Sequence, residues 1–462
     1  MSIFLYKFSI CEHNIFENAN KKIIGGIQMN LTKKTASIFL CVILSISSVL
    51  AFTACGKNNS NNNTLDSTSS AQKANVTVRY LNFKPEVADV YQKIAQEYEK
   101  ETGVKVVVET AANNEYESTL AAKMSTKSAP TLFQINGPKG YSNWKEYCAD
   151  LSDSELYKHL KDKSLAVTSS DGKVYGIPVS KEISYIYYNK DLFAEAGLEA
   201  PDVAYETWDE FFDACDTLKS KNITPVSMDT ADLGWLSNLW YSGLIGTSGE
   251  EGNEFMNTAY PTDYNVPVVE EATEQLQKML ENYTTSDAAG GKYDTMATHF
   301  FNGEVAMLPN GPWMIPDFNS TEKAPEGFYD KVGIMLLPGA GLESVSTPGD
   351  MVGASDPKKI EAAVAFLKFE TTAENQLKAL EMAGLQPVSS NIEVPDSLKE
   401  SDPLMAEVLE IQSKAKYTYG QNQAYWYQNV IDTFSNQLPE LAYGNITATE
   451  FCEKLTESAQ KN

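Results

Sequence analysis

The stretch VTVRYLNFKPEVADVYQKIAQEYEKETGVKVVVET, residues 76–110, decides the fold class. Val76 to Phe83 (VTVRYLNF) is short, apolar and rich in β-branched and aromatic residues, the composition of a strand. Pro85 to Lys100 carries apolar residues at helical spacing, and Val104 to Thr110 (VKVVVET) is a second strand. Working outward, Glu115 to Ser128 reads as a helix and Thr131 to Ile135 (TLFQI) as a third strand. Short apolar strands separated by helices of this length imply βαβ units and a parallel sheet. In such sheets ligands gather beyond the carboxyl ends of the strands. Those ends are Asn82-Phe83-Lys84, residues 111–114 and Asn136-Gly137-Pro138, all polar or glycine-containing turns that suit a polar neutral ligand.

Further along, Ile183 to Asn189 (ISYIYYN) reads as another strand. Thr207-Trp208-Asp209-Glu210 has the spacing of a capping box that opens a helix toward Leu218, with Trp208 in a packing role. Gly303 to Trp313 (GEVAMLPNGPW) reads as a short strand from Val305 and a turn that sets Trp313 near a helix start, with Pro316 limiting that helix. A tryptophan at such a turn is more often exposed to a cleft than one in mid-helix.

Upstream, Lys33 and Lys34 precede an apolar run from Ala36 to Phe52 and then Thr53-Ala54-Cys55. A basic start, an apolar core and small residues at the cut are the layout of a secretory signal, here 29–54. The alternative is a retained transmembrane helix, although the run is at the lower edge of what spans a bilayer. The small residues before Cys55 resemble a bacterial lipobox, in which the cysteine is lipidated and becomes the mature N-terminus; Phe52 departs from the usual leucine. Gly25-Gly26 can be encoded by a ribosome-binding sequence ahead of Met29, so residues 1–28 are expected to be an upstream extension that is not translated. Residues 55–75 hold the lipidated cysteine and a tether (GKNNSNNNTLDSTSSAQKAN) without Phe, Tyr, Trp, Ile or Val, too polar to fold. It would span roughly 25 Å root-mean-square.

Residues 55–462 number 408, beyond the usual size of one core, so two lobes are expected. The whole chain carries −25 at pH 7, and the five Lys and two Glu of residues 1–54 leave −28 on the remainder. Such a charge repels nucleic acid and anionic lipid. Arg79 is the sole arginine. Guanidinium is the preferred group for bidentate capture of carboxylates and phosphates, so its scarcity favours a neutral ligand, although a low-GC genome that prefers lysine codons produces the same bias. Beyond Cys55, the cysteines Cys148, Cys215 and Cys452 are far apart in stretches that read as helix, without metal spacing. They are expected as buried thiols, one disulfide among them being the alternative.

The aromatic residues carry the next step. Trp235, Trp240, Tyr241, Trp313, Tyr417, Tyr419, Tyr425, Trp426 and Tyr427 lie in the second half, many among Gly, Asn, Gln and Ser. Sugars present flat C–H faces ringed by hydroxyls, so their sites need aromatic plates flanked by amides and carboxylates. Core packing is the default for any single ring. Residues 421–429 (QNQAYWYQN) are harder to read as pure core, because buried amides need partners that sugar hydroxyls could supply. Motifs of enzymes are missing from the sequence: there is no GxSxG, HExxH, GxxxxGK[ST] or GxGxxG. With His159 and His299 the only histidines beyond residue 55, no zinc site or usual triad is expected. The many carboxylates leave a two-carboxylate glycosidase open by residue type.

Three stretches carry a resemblance. Val174-Tyr175-Gly176-Ile177-Pro178, with Glu182 and Tyr187-Tyr188-Asn189-Lys190-Asp191-Leu192-Phe193, is similar to a "YGIP…E…YNKDLF" segment. Phe300 to Trp313 (FFNGEVAMLPNGPW) is similar to "F..G..AM...GPW", and Gly384 to Val388 (GLQPV) to a "GL.PV" turn. Over residues 76–462 the chain thereby resembles the extracellular solute-binding lipoproteins of carbohydrate ABC importers, the maltose-binding-like family. The resemblance implies an α/β, two-lobed periplasmic-binding-protein-like clamp with several interlobe crossings: 76–183 and 347–395 in the N-terminal lobe, 184–346 and 396–462 in the C-terminal lobe. It implies that Glu182 bonds sugar hydroxyls near the first crossing and that Trp313 stacks on a sugar ring, with Trp426 or Tyr425 as a second plate. Asn82, Lys84, Glu86 and Asn136 fall at the N-terminal lobe's strand-end loops; Trp235, Asn238, Trp240 and Asp350 are further candidates. The loops Lys84-Pro85-Glu86 and Asn136-Gly137-Pro138 depart from maltose binders, which leaves the sugar open. The implied protein is a monomer without cofactor or metal. Lipid on Cys55 would anchor it to the outer face of the cytoplasmic membrane of a low-GC Gram-positive bacterium, where it captures a neutral mono- or oligosaccharide for the permease subunits. A ligand other than sugar, service to a sensor kinase, and a secreted glycosidase are the alternatives.

Overall fold

The computed structural model describes residues 76–461, apart from 112, 136, 161–162, 164–165, 170–171, 354–355, 389–391 and 393–394. The signal, Cys55, the tether and Asn136 lie outside these residues. No described helix is long and apolar enough to cross a membrane.

The first βαβ units form as the pattern demands. β1 (Thr77–Asn82) pairs in parallel with β2 (Lys105–Thr110) and with β3 (Leu132–Ile135). Between β1 and β2 the chain makes a 3-10 turn at Pro85–Val87 and the helix Ala88–Thr102, which buries Val90, Tyr91, Ile94, Ala95 and Tyr98 and ends at Gly103 with φ 72°. Glycine reaches that left-handed cap without steric cost. The parallel expectation stops at β3. Its next neighbour is β9 (Gly341–Val352), which runs antiparallel to it, so the sheet is mixed.

β5 (Val174–Asn189) is 16 residues long, more than twice the stretch read as a strand. Gly176 and Pro178 hide its first half, because both are depleted in strands. β5 pairs antiparallel with β9 from Gly176↔Met351 to Ser184↔Glu343. Its first half also receives β4 (Val167–Thr168) and, late in the chain, β10 (Gln386–Pro387). Its second half joins β7 (Val305–Asn310) and β8 (Val332–Met335), with β6 (Thr224–Val226) parallel to β7. β11 (Tyr417–Tyr419) completes the set beside the start of β9. β5 therefore bridges two groups of strands, pairing with β9 through its first part and with β7 and β8 through its last residues.

Separate cores flank the ladder. On one side Tyr80, Ile94, Leu132, Val174, Phe366 and Leu367 pack together. On the other, one core gathers Phe211, Trp240, Tyr241, Leu276, Trp426 and Phe434, and another Tyr185, Tyr187, Phe300, Leu308, Phe318 and Leu404. The helix Trp208–Ser220 starts at Thr207, whose side chain accepts from the Glu210 N–H. Glu210 accepts from the N–H of Glu206 rather than of Thr207, so the reciprocal half of the box is displaced by one residue. The complete box is Thr447 with Glu450, at the helix Ala448–Ala459. Cys148, Cys215 and Cys452 are buried free thiols, Cys148 after a 3-10 turn rather than in a helix.

Candidate functional site

Glu182 lies midway along β5, opposite Val345 of β9, where the chain passes between the sheets. Its carboxylate forms an ion pair with Lys84, and its side chain stays about a quarter exposed while that of Lys84 is nearly buried. Lys84 follows β1, and its backbone N–H donates to Asn82 Oδ1 at 3.0 Å. Asn82 Nδ2 donates in turn to Thr110 Oγ1 at 3.0 Å. Asn82, expected at the ligand, is fully buried, with its amide used by Lys84 of its own loop and by Thr110 of β2. It shapes the turn that presents Lys84. Glu86 falls in the neighbouring 3-10 turn, and Asp350 pairs with Gln134 and Ile177 in the ladder.

Trp313 sits in the 3-10 turn Pro312–Met314 after β7, partly exposed. Its indole lies by the Tyr293 hydroxyl, which accepts from Asn310 Nδ2 at 3.0 Å. Gly311 permits this placement: a Cβ there would lie 2.1 Å from the indole and 2.6 Å from the Ile183 carbonyl oxygen. The ring thus stands beside β5, one residue from Glu182. Gly384 closes the arrangement, since a Cβ on it would lie 2.9 Å from the Pro312 carbonyl oxygen. β10, two residues on, pairs with Lys181 and Ser180. The three stretches that carry the family resemblance, separated by more than a hundred residues in places, meet around residues 180–183 of β5.

Two of the candidate rings, the second plate Trp426 and the further candidate Trp240, are buried. Trp240 is fully buried, donates to the Ser227 carbonyl at 3.1 Å and packs against Phe211 at 5.4 Å. Trp426 is also fully buried, its ring 4.7 Å from Tyr264 and flanked by Tyr241 and Phe255. Neither ring has a face to offer; aromatic composition alone does not distinguish a plate from a core. Tyr425 keeps partial exposure, its ring lying over Gly420, where a Cβ would meet it at 2.5 Å. Trp235 is partly exposed as the first residue of the helix Trp235–Gly246. The buried Asp229 caps that helix, accepting from the N–H groups of Trp235, Leu236 and Ser237 at 3.1, 2.8 and 3.3 Å. Burial pushes the Asp229 carboxyl up to about 7 against the pull of those donors.

The amides of 421–429 find partners within the protein. Asn422 and Asn238 exchange side-chain bonds, one of 2.7 Å from Asn238 Nδ2 to Asn422 Oδ1, which satisfies both without a ligand. Gln421 Nε2 donates at 3.1 Å to Glu343 Oε1. The exception is Gln423, whose Nε2 is buried and unpartnered. The helix Gly137–Trp144, which follows β3, lies against Asn422–Tyr425.

Glu343, which sequence reasoning did not single out, is a buried acid next to this cluster. It faces Ser184 across the ladder, accepts from Ser184 Oγ at 3.4 Å, and leaves Oε2 unpartnered. Burial first, and the charge of Glu182 with it, pushes its carboxyl up to about 8. Nothing in its local sequence, Gly341-Leu342-Glu343-Ser344, distinguishes it from a surface glutamate.

A cavity of roughly 280 Å³ lies away from this cluster, lined by Trp208, Thr247, Glu271 and Gln275 among others and by none of the expected residues. Among the described residues no group of His, Cys, Asp and Glu is placed to hold a metal ion.

Residues 93–407 match the family model described as bacterial extracellular solute-binding protein. The multiple sugar-binding protein of Streptococcus mutans is 26% identical over 364 residues, 75% of this chain and 81% of that one. The sn-glycerol-3-phosphate-binding periplasmic protein UgpB of Agrobacterium fabrum is 23% identical over 253 residues, 52% of this chain and 56% of its own. A solved chitin oligosaccharide binding protein superposes with a TM-score of 0.69 at 25% identity, over 83% of this chain and 98% of that one.

Proposed function

Because the chain belongs to the bacterial extracellular solute-binding proteins, we propose that it captures a neutral sugar or oligosaccharide outside the cell and hands it to an ABC permease. The observation that carries this reading is the meeting of Glu182, Trp313 and the 384–388 turn around one short segment of β5. A carboxylate and a partly exposed aromatic ring held at one segment of a strand are groups that a polyol with flat C–H surfaces can use. Tyr425, Trp235 and the unpartnered Gln423 amide extend the surface on the C-terminal lobe. Glu86, Asn136 and Asp350 are proposed to complete it from the N-terminal lobe. The lobes comprise 76–183 with 347–395, and 184–346 with 396–462.

Ligand contacts from both sides favour the closed arrangement, and the crossing strands bend to reach it. The chemistry is binding without turnover. A lipid on Cys55 and the tether after it hold a monomer at the outer face of the membrane, within reach of the permease. A relative described as binding sn-glycerol 3-phosphate favours one second reading, a phosphate ester as ligand.

A thermal-shift screen of the purified protein tests the proposal, with neutral mono- and oligosaccharides set against phosphate esters, amino acids and short peptides. A ligand that binds only the native state must stabilise it. A saturable rise with one neutral sugar class is the expected result. A response confined to the other ligands removes carbohydrate from the reading.

A further inference from the structure

The comparisons include binders of neutral sugars and of a phosphate ester, so the charge of the site separates the two classes. Lys84 is the described cation at the β5 cluster, with 4% of its surface exposed. Its ammonium lies 5.7 Å from the centre of the Phe83 ring, and the Asn82 amide fixes its backbone. A desolvated ammonium without a counter-charge is strongly disfavoured, and Glu182 supplies that counter-charge. Strand alternation puts the neighbouring Lys181 on the opposite face of β5. Burial pushes the carboxyl of Glu343, the next acid along the ladder, up to about 8, which disfavours its charged form near neutral pH. Lys84 and Glu182 thus face one another as an ion pair.

We propose that the Lys84–Glu182 pair is the charge filter of the site: Glu182 occupies the ammonium that would otherwise accept a phosphate, and so restricts the protein to neutral sugars. This rests on the reading of the β5 cluster as the ligand site. Removing the negative charge while keeping the shape leaves Lys84 buried and unpaired, the condition under which an anionic ligand is recruited. Glu182 is then a specificity-determining residue whose effect on a phosphate ester is opposite in sign to its effect on a neutral sugar.

The test titrates wild type, Glu182→Gln and the double variant Lys84→Met/Glu182→Gln by calorimetry at pH 6 and low ionic strength. The probes are raffinose, maltotriose and chitotriose on one side, and sn-glycerol 3-phosphate and glucose 6-phosphate on the other. Wild type is expected to bind one neutral probe and neither ester. Glu182→Gln is expected to gain at least tenfold in affinity for an ester, and the double variant, with no charge in the pair, to lose that gain. A folded Glu182→Gln protein without the gain, judged by circular dichroism and melting, overturns the filter and leaves the sugar reading standing. Wild type itself supplies an arm independent of any variant's folding: an ester bound as tightly as the best neutral probe overturns the filter. Silence toward both classes overturns the sugar reading, and the filter with it.

Discussion

Glu343 shows how much a single side chain owes to its depth. It carries the same carboxyl as dozens of surface residues, yet it is 2% exposed, accepts from Ser184 and Gln421 on one oxygen, and has nothing for the other. Its affinity for a proton in the folded state, about 8, exceeds that of an exposed glutamate near 4.5. Stability from this group is therefore complete below pH 4.5 and is lost as the pH rises toward and through 8. Glu343→Gln, neutral throughout, should melt with wild type at pH 4 and above it at pH 9. Melting curves that stay parallel across that range would show that the carboxyl is not held neutral. None of this was legible in the sequence, since depth is a tertiary property. Glu182 and Trp313, proposed here as ligand contacts, stand out in the sequence by motif spacing alone. Trp240 and Trp426 were misread, because indole serves a core and a sugar platform with the same surface.

At the scale of elements, the turn after β7 is the most constrained. Gly311 is extended, with φ −119°, so its requirement is space rather than backbone freedom. A methyl group there collides with the indole of Trp313 and with the Ile183 carbonyl. The Gly311 carbonyl in turn accepts from the Tyr187 hydroxyl at 2.8 Å, which ties the turn to β5. Gly311→Ala should thus displace Trp313 without touching ligand, and should weaken sugar binding nearly as much as Trp313→Ala. That loss is about 2 kcal/mol, the scale of an anchoring aromatic. Calorimetry on both variants checks it; a Gly311→Ala protein with wild-type affinity would mean the ring is not the platform. The strands and helices of 76–135 could be read from periodicity alone. β5 could not, because Gly176 and Pro178 signal a break where the pairing with β9 in fact continues.

For the whole molecule, the number of lobes followed from chain length, but their connection did not. Sequence cannot show that β9, more than two hundred residues after β3, returns to lie beside it. The proposed closure predicts a more compact particle with ligand than without. Small-angle scattering should register a fall in radius of gyration on saturating sugar, with Trp313→Ala showing the fall only at higher concentration. An unchanged radius at saturation would make the clamp rigid and its signal to a permease something other than shape.

The place of β9 also sets the order in which the protein can come into being. β1, β2 and β3 are made first and form a three-stranded sheet in which β3 is one open edge. The strand that covers that edge is synthesised about two hundred residues later, and at roughly 5–20 residues per second the wait is at least ten seconds. An open edge is a template for pairing with any neighbouring chain. The nascent N-terminal lobe is thus incomplete until nearly the whole polypeptide exists, and a chain truncated before residue 349 is an aggregation hazard rather than half a protein.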